Sequence, residues 1–144
     1  MLTRDSARAK DVSILIQTVK GEMSISITPL TVSERTAILE SVPDPQPEKA
    51  DVIENGVKVT KVNDKDEAYL NAVNHAINRR NARMIMMMLI KAGHFKDMAD
   101  ATLDELEAYA MSELDPDLWE GVLSAVVQIR SKLAVSVQSV KENF

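Results

Sequence analysis

The sequence predicts an α+β protein, with a small N-terminal β-hairpin region followed by a mainly helical bundle. Three observations carry this reading. Residues 12–28 are β-branched and alternating, residues 66–92 run without Gly or Pro, and apolar residues from Leu118 to Val140 step by threes and fours. The 144 residues suit one domain, and a chain of this size buries about two thirds of its unfolded surface without a disulfide or metal. Three parts are expected: 1–42, a β-hairpin plus short helix; 43–64, a Pro-rich acidic linker with a hairpin; and 65–144, a helical domain.

In order, Val12 to Val19 (VSILIQTV) reads as a strand, Lys20-Gly21-Glu22 as a turn, and Met23 to Thr28 (MSISIT) as a second strand. Met23, Ile25 and Ile27 fall on one face, which is expected to be buried. Ser24, Ser26 and Thr28 fall on the other, which is expected to meet water. Pro29 stops the strand, because it has no N–H for the ladder. Thr31-Val-Ser-Glu34 is a capping box opening a helix to about Ser41. Ile38 and Leu39 are expected to face inward, with Glu34 and Arg35 in solvent.

Val42-Pro-Asp-Pro-Gln-Pro47 is stiff and extended, with three prolines. Asn55-Gly56 between DVIE and VKVTKV is a hairpin signal. A lone two-stranded hairpin is weak, so 43–64 is expected to be a mobile excursion.

The long helix DEAYLNAVNHAINRRNARMIMMMLIKA ends at Gly93, where a left-handed cap falls. At ~1.5 Å per residue it would be roughly 40 Å long. Leu70, Val73, Ile77, Met84 and Met88 recur at helical spacing, with Asn81 filling the gap in the row. From Met84 to Ile90 every face is apolar. Either the whole run is a Met-rich core, or part of it is reserved for a partner, since Met suits surfaces that accept several shapes. The expectation is a split. Met84 and Met88 belong to the core, and Met86, Met87 and Ile90 contact another chain, a second copy or a helical client.

Thr102-Leu-Asp-Glu105 is a second capping box, placing Leu103, Leu106 and Ala110 on one side of a helix to about Leu114. Asp115-Pro116 starts another helix, with a carboxylate cap and Pro at the first position. Its stripe is Leu118, Val122, Val126, Ile129, Leu133, Val137 and Val140, widened early by Trp119, Leu123 and Val127. Residues 116–130 are therefore expected in the core. Residues 131–144 are expected to form a projecting arm or partner-binding tail through Val137 and Val140.

Chemistry is sparse. No phosphate-binding loop, dinucleotide fingerprint or nucleophile elbow occurs, and there is no cysteine. His75 and His94 lack ligands at helical spacing; the one neighbour worth noting is Asp97 beside His94, and a loop histidine is the ordinary reading. Arg79, Arg80 and Arg83 form a short basic patch, read as surface ion pairing, and Asp104, Glu105 and Glu107 a solvated first turn favoured by the helix dipole. The net charge of −5 and an aromatic content of 3% argue against nucleic acid. The longest apolar run, 84–90, is far short of a membrane span, and the N-terminus MLTRDSARAKD has no signal-peptide core. No enzyme, cofactor or metal is expected, and the location expected is cytoplasmic.

The order of elements resembles the tail assembly chaperones of long-tailed bacteriophages. The resemblance rests on Met23 to Val42 (MSISITPLTVSERTAILESV), with its short alternating strand, Pro-Leu-x-x-x-Glu-Arg and short helix. It continues through the Pro-rich spacer 43–50 and the helical stretch from Asp66 with Arg79-Arg80. It covers residues 12–95, and the Met-dense helix end and the Asn55-Gly56 hairpin depart from it. The resemblance implies a non-catalytic protein of the host cytoplasm that binds the tape-measure protein, and tail-tube subunits, before the tail polymerises. It also implies a longer frameshifted form. The alternative is a structural virion protein such as a tail or connector component, with 43–64 as an arm ordered by neighbours. A small regulatory or enzymatic helical domain has no positive feature in its favour.

Overall fold

A computed structural model describes residues 1–127, and the architecture is α+β as the sequence predicts. After a single turn, α1 (Arg4–Ala7), come strands β1 (Val12–Thr18) and β2 (Gly21–Ile27) and helix α2 (Val32–Ser41). A second pair, β3 (Glu48–Glu54) and β4 (Val57–Asn63), precedes the long helix α3 (Glu67–Lys91). A 3₁₀ turn (Lys96–Met98), helix α4 (Leu103–Ser112) and helix α5, described over 116–127, complete it.

The β1–β2 pair is antiparallel with Ile14 opposite Ile25 and Ile16 opposite Met23. Alternation then puts Ile14, Ile16 and Ile27 in the core. The turn is Val19-Lys20, not Lys20-Gly21-Glu22; Gly21 already pairs with Thr18, at φ +118°. The serine face is only partly wet. Thr28 is buried, its backbone N–H donating to the Met88 carbonyl at 3.1 Å and its hydroxyl to Asp11. His94 Nε2 lies 2.8 Å from the Ser26 carbonyl, the ordinary loop-histidine role.

Within segment 43–64, β3 and β4 form the hairpin that Asn55-Gly56 predicts. Asn55 and Gly56 both take positive φ, 53° and 77°, as a tight two-residue turn requires. Its start is fixed too. Val42 is fully buried, and Arg80 donates to the Val42 carbonyl and to Asp44.

The hairpin of residues 1–42 and the helices of residues 65–127 share one core. Ile14, Ile16 and Ile27 share one cluster with Ile85, Met86 and Leu89 of α3, Leu106 and Ala110 of α4, and Val122 of α5. Helix α5 lies along β1. The Val19 N–H donates to Asp117 at 3.3 Å, and a Cβ at Gly121 would stand 2.7 Å from the Ile16 side chain. Gly at that position permits the close approach. Caps fall where the sequence places them: Thr31, Thr102 and Asp115 each accept a backbone N–H of the following turn, and Gly93 takes φ +97° after α3.

The face of α3 that turns inward includes Met88, as expected, but is centred away from the expected row. Leu70 and Ile77 are 48% and 44% exposed, whereas Met86 is 0% exposed. At ~100° per residue, Ala82, Ile85, Met86 and Leu89 form the inward side, about a quarter turn or more from the Leu70–Met88 row. The run 84–90 is apolar all round because its surroundings are: the hairpin, α4 and α5 all contribute to the cluster holding it. Leu39 is exposed and only Ile38 is buried in α2, a narrower contact than expected.

Candidate functional site

The C-terminal half of α3, the end of β2, α2 and α5 leave an apolar groove of about 470 Å³ between them. Met84, Ile85 and Met88 form its floor on α3, and Leu123, Val126 and Val127 its wall on α5. Ile27, Pro29 and Leu30 close the end nearest the hairpin, with Arg35 and Asn81 as the polar groups of the lining. Local sequence explains the shape. Pro29 ends the β ladder, so the chain leaves the sheet at Leu30 before the Thr31 cap starts α2.

Charged groups brace the elements around the groove. Lys91 Nζ donates to Glu34 Oε1 at 2.5 Å and to the Pro29 carbonyl at 3.3 Å, tying α3 to the start of α2. Glu34 Oε1 also accepts the Thr31 N–H at 2.9 Å. Glu34 is therefore not the solvent residue expected. Burial pushes its carboxyl pKa up, but the Lys91 ammonium and the Thr31 amide and hydroxyl together outweigh burial and hold it below its ordinary value.

On the other side of α3, Arg83 is 3% exposed. Its Nε lies 3.0 Å from Glu107 Oε1 and its Nη2 2.6 Å from Asp104 Oδ1. Arg79 reaches the same Glu107 oxygen at 2.9 Å. The three arginines are ion-paired with acids as the sequence reads, Arg79 and Arg83 sharing Glu107 of α4 and Arg80 holding Val42 and Asp44, but Arg83 is buried rather than on the surface. Glu107 is a half-buried partner, 19% exposed, rather than part of a solvated first turn.

The expected partner residues are redistributed. Met86 is inside the core, so it offers no surface; Met87 and Ile90 are half-buried and do not line the groove. Val137 and Val140 lie outside the described residues. Met88 is buried in the core as expected and also lines the groove; Met84, expected in the core, is half-buried and lines the groove beside it, with Leu30 and Leu123. The signal for this was present: their row contains polar Asn81 and continues into exposed Leu70 and Ile77.

Among the described residues no group of three His, Cys, Asp or Glu side chains is placed to hold a metal ion, and no helix is long and apolar enough to cross a membrane. The groove can take up apolar side chains of another segment, Met84 and Met88 adapting to their shape.

Acid should loosen the Lys91–Glu34 tie. A carboxylate whose pKa is lower in the folded than in the unfolded state stabilises the fold above its ordinary value, near 4.5, and loses that contribution as pH falls toward the folded value. The stability gap between the parent protein and Glu34→Gln should be constant near neutrality and narrow below about pH 4.5. Urea unfolding at a series of pH values reads it. A gap independent of pH would mean that Glu34 is not ionically tied to Lys91.

No known protein family matches this chain, and no curated protein or solved structure is significantly similar to it.

Proposed function

We propose that this chain is a non-catalytic tail assembly chaperone of a long-tailed bacteriophage, acting in the host cytoplasm. Its client is the tape-measure protein, held before the tail polymerises. The groove between α3, α5 and the Pro29–Leu30 corner supports this reading, being apolar and floored by methionine. A long helical client exposes apolar side chains at helical spacing until its tail partners cover them. A shallow apolar groove with adaptable methionines takes such side chains one cluster at a time and releases them without chemistry.

A second reading, a structural virion protein, is favoured by one feature. The β3–β4 hairpin leaves Ile53, Val57 and Val62 exposed, as an arm ordered against neighbouring subunits would.

Co-expression with a tape-measure protein separates the two. Under the chaperone reading the client co-purifies, and Leu30→Glu at the groove end weakens capture roughly tenfold or more, about 1.4 kcal/mol or above. Circular dichroism should remain that of the parent. The protein should be found in lysates and not in purified particles. Recovery in particles, with capture indifferent to Leu30→Glu, would favour the virion reading.

A further inference from the structure

Strands β3 and β4 stand apart from the core that holds the rest of the chain. The first hairpin gives Ile14, Ile16 and Ile27 to that core, and the second gives none of its residues. Among the described residues no third strand joins β3 and β4, and they pack on each other more than on any helix. Only Val52 and Val59 are half-buried in them, every other residue being exposed. A two-stranded ribbon with neither a third strand nor a covering helix is marginally stable in water. Its outer backbone groups are free to pair with another strand.

The register identifies those groups. Asn55-Gly56 is a two-residue turn, so the flanking pair Glu54–Val57 is hydrogen-bonded and the pairs alternate from there. The N–H groups of Lys49, Asp51 and Ile53 therefore point away from β4, and those of Lys58, Thr60 and Val62 away from β3.

The two edges carry opposite charge. β3 holds Glu48, Asp51 and Glu54 against one lysine, Lys49, while β4 holds Lys58 and Lys61 and no acid. Charge on an edge strand ordinarily blocks pairing with a like edge. Here β3 repels another β3 and β4 another β4, but β4 of one molecule suits β3 of the next. The contacts for such a seam already exist once within the chain. Val52 faces Val59, Thr60 donates to Asp51 at 2.8 Å, and Lys58 and Lys61 pair with Asp51 and Glu54. Laid along the free edge of β4 in the same register, a second β3 sets its own Val52 beside Val59 and its Asp51 beside Thr60.

We propose that this hairpin pairs with a second copy of the same chain, whose β3 adds antiparallel to β4, head to tail. An acidic strand then lies between two basic ones, and both copies gain the third strand that a lone ribbon lacks. A foreign strand would have to supply anew the acids and the valine that β3 already carries. The contact is heterologous. It leaves one acidic and one basic edge open at its ends, so pairing continues into a ring or a filament instead of stopping at a dimer. The inference does not depend on which reading of the function holds: the groove on α3 and α5 includes no residue of β3 or β4.

Sedimentation of the full-length protein tests this. The mass of the parent should rise with concentration, and association should weaken roughly threefold or more between ~50 mM and ~500 mM salt, because the opposed charges lie at the surface. Thr60→Pro removes an outward N–H of β4 and Ile53→Pro one of β3, neither of them part of the ladder within the chain. Each variant alone should stay monomeric. Mixed, they should form a one-to-one dimer, since each keeps the edge that the other lacks. Restored pairing also shows that both hairpins are intact. A parent that is monomeric throughout would overturn the proposal and leave the edges to a foreign strand. Association indifferent to salt, or a mixture no heavier than its parts, would also overturn it. So would a dimer abolished by Thr60→Pro and untouched by Ile53→Pro, which assigns a two-fold contact between β4 strands.

Discussion

Met86→Asp is expected to unfold this protein. Met86 is fully buried in the cluster that joins the hairpin to α4 and α5. Truncation to Ala at such a site typically costs about 2–5 kcal/mol, because transfer energy is lost and a cavity remains. Aspartate adds the desolvation of a carboxyl group with no partner designed for it, several kcal/mol more. Together these approach the ~5–15 kcal/mol that holds a domain of this kind folded. The comparison is Met111→Asp, at an exposed position of α4, which should stay within about 0.5 kcal/mol of the parent. Urea titration followed by circular dichroism decides the matter. A folded Met86→Asp protein, as stable as Met111→Asp, would mean that α3 presents a different face to the core.

Glu107→Ala is expected to be nearly as damaging, through a different physical route. It removes the carboxylate that holds Arg83 at 3.0 Å and Arg79 at 2.9 Å. Arg83 then keeps only Asp104, whose side chain is 86% exposed and easily drawn off by water. Breaking a buried pair by deleting one partner costs roughly 3–5 kcal/mol, since a charge is stranded away from water. Replacing both members should be much milder. Arg83→Met with Glu107→Leu fills the same space without charge, so this double variant should recover most of the loss. The four proteins form a double-mutant cycle, scored by urea unfolding. If Glu107→Ala alone is neutral, the guanidinium is reaching solvent and the α3–α4 contact is looser than described.

Much of the local structure was legible because its causes are local. Thr31 and Thr102 precede Glu34 and Glu105 at the spacing that lets a hydroxyl and a carboxylate serve a helix start. Asn55-Gly56 fixes a two-residue turn whatever surrounds it, since few other pairs accept positive φ twice. Gly93 ends α3 for the same reason. Alternation set Ile25 and Ile27 inward, although the turn slipped toward Val19-Lys20 because Gly21 could pair and bend at once.

What tertiary structure decided were the questions of direction. A helix that is apolar on every side from Met84 to Ile90 has no preferred face, so its sequence does not say which side the rest of the chain will cover. Here α4 brought Glu107 to Arg83, turning an expected surface arginine inward and Met86 with it. Helix α5 approached β1 at Gly121, a contact that no periodicity announces, because it depends on the absence of a side chain opposite Ile16. The spacing of each apolar row was fixed by the sequence through the 3.6-residue helical repeat. Which rows face each other was fixed by packing, since burial is a property of neighbours and not of the segment buried.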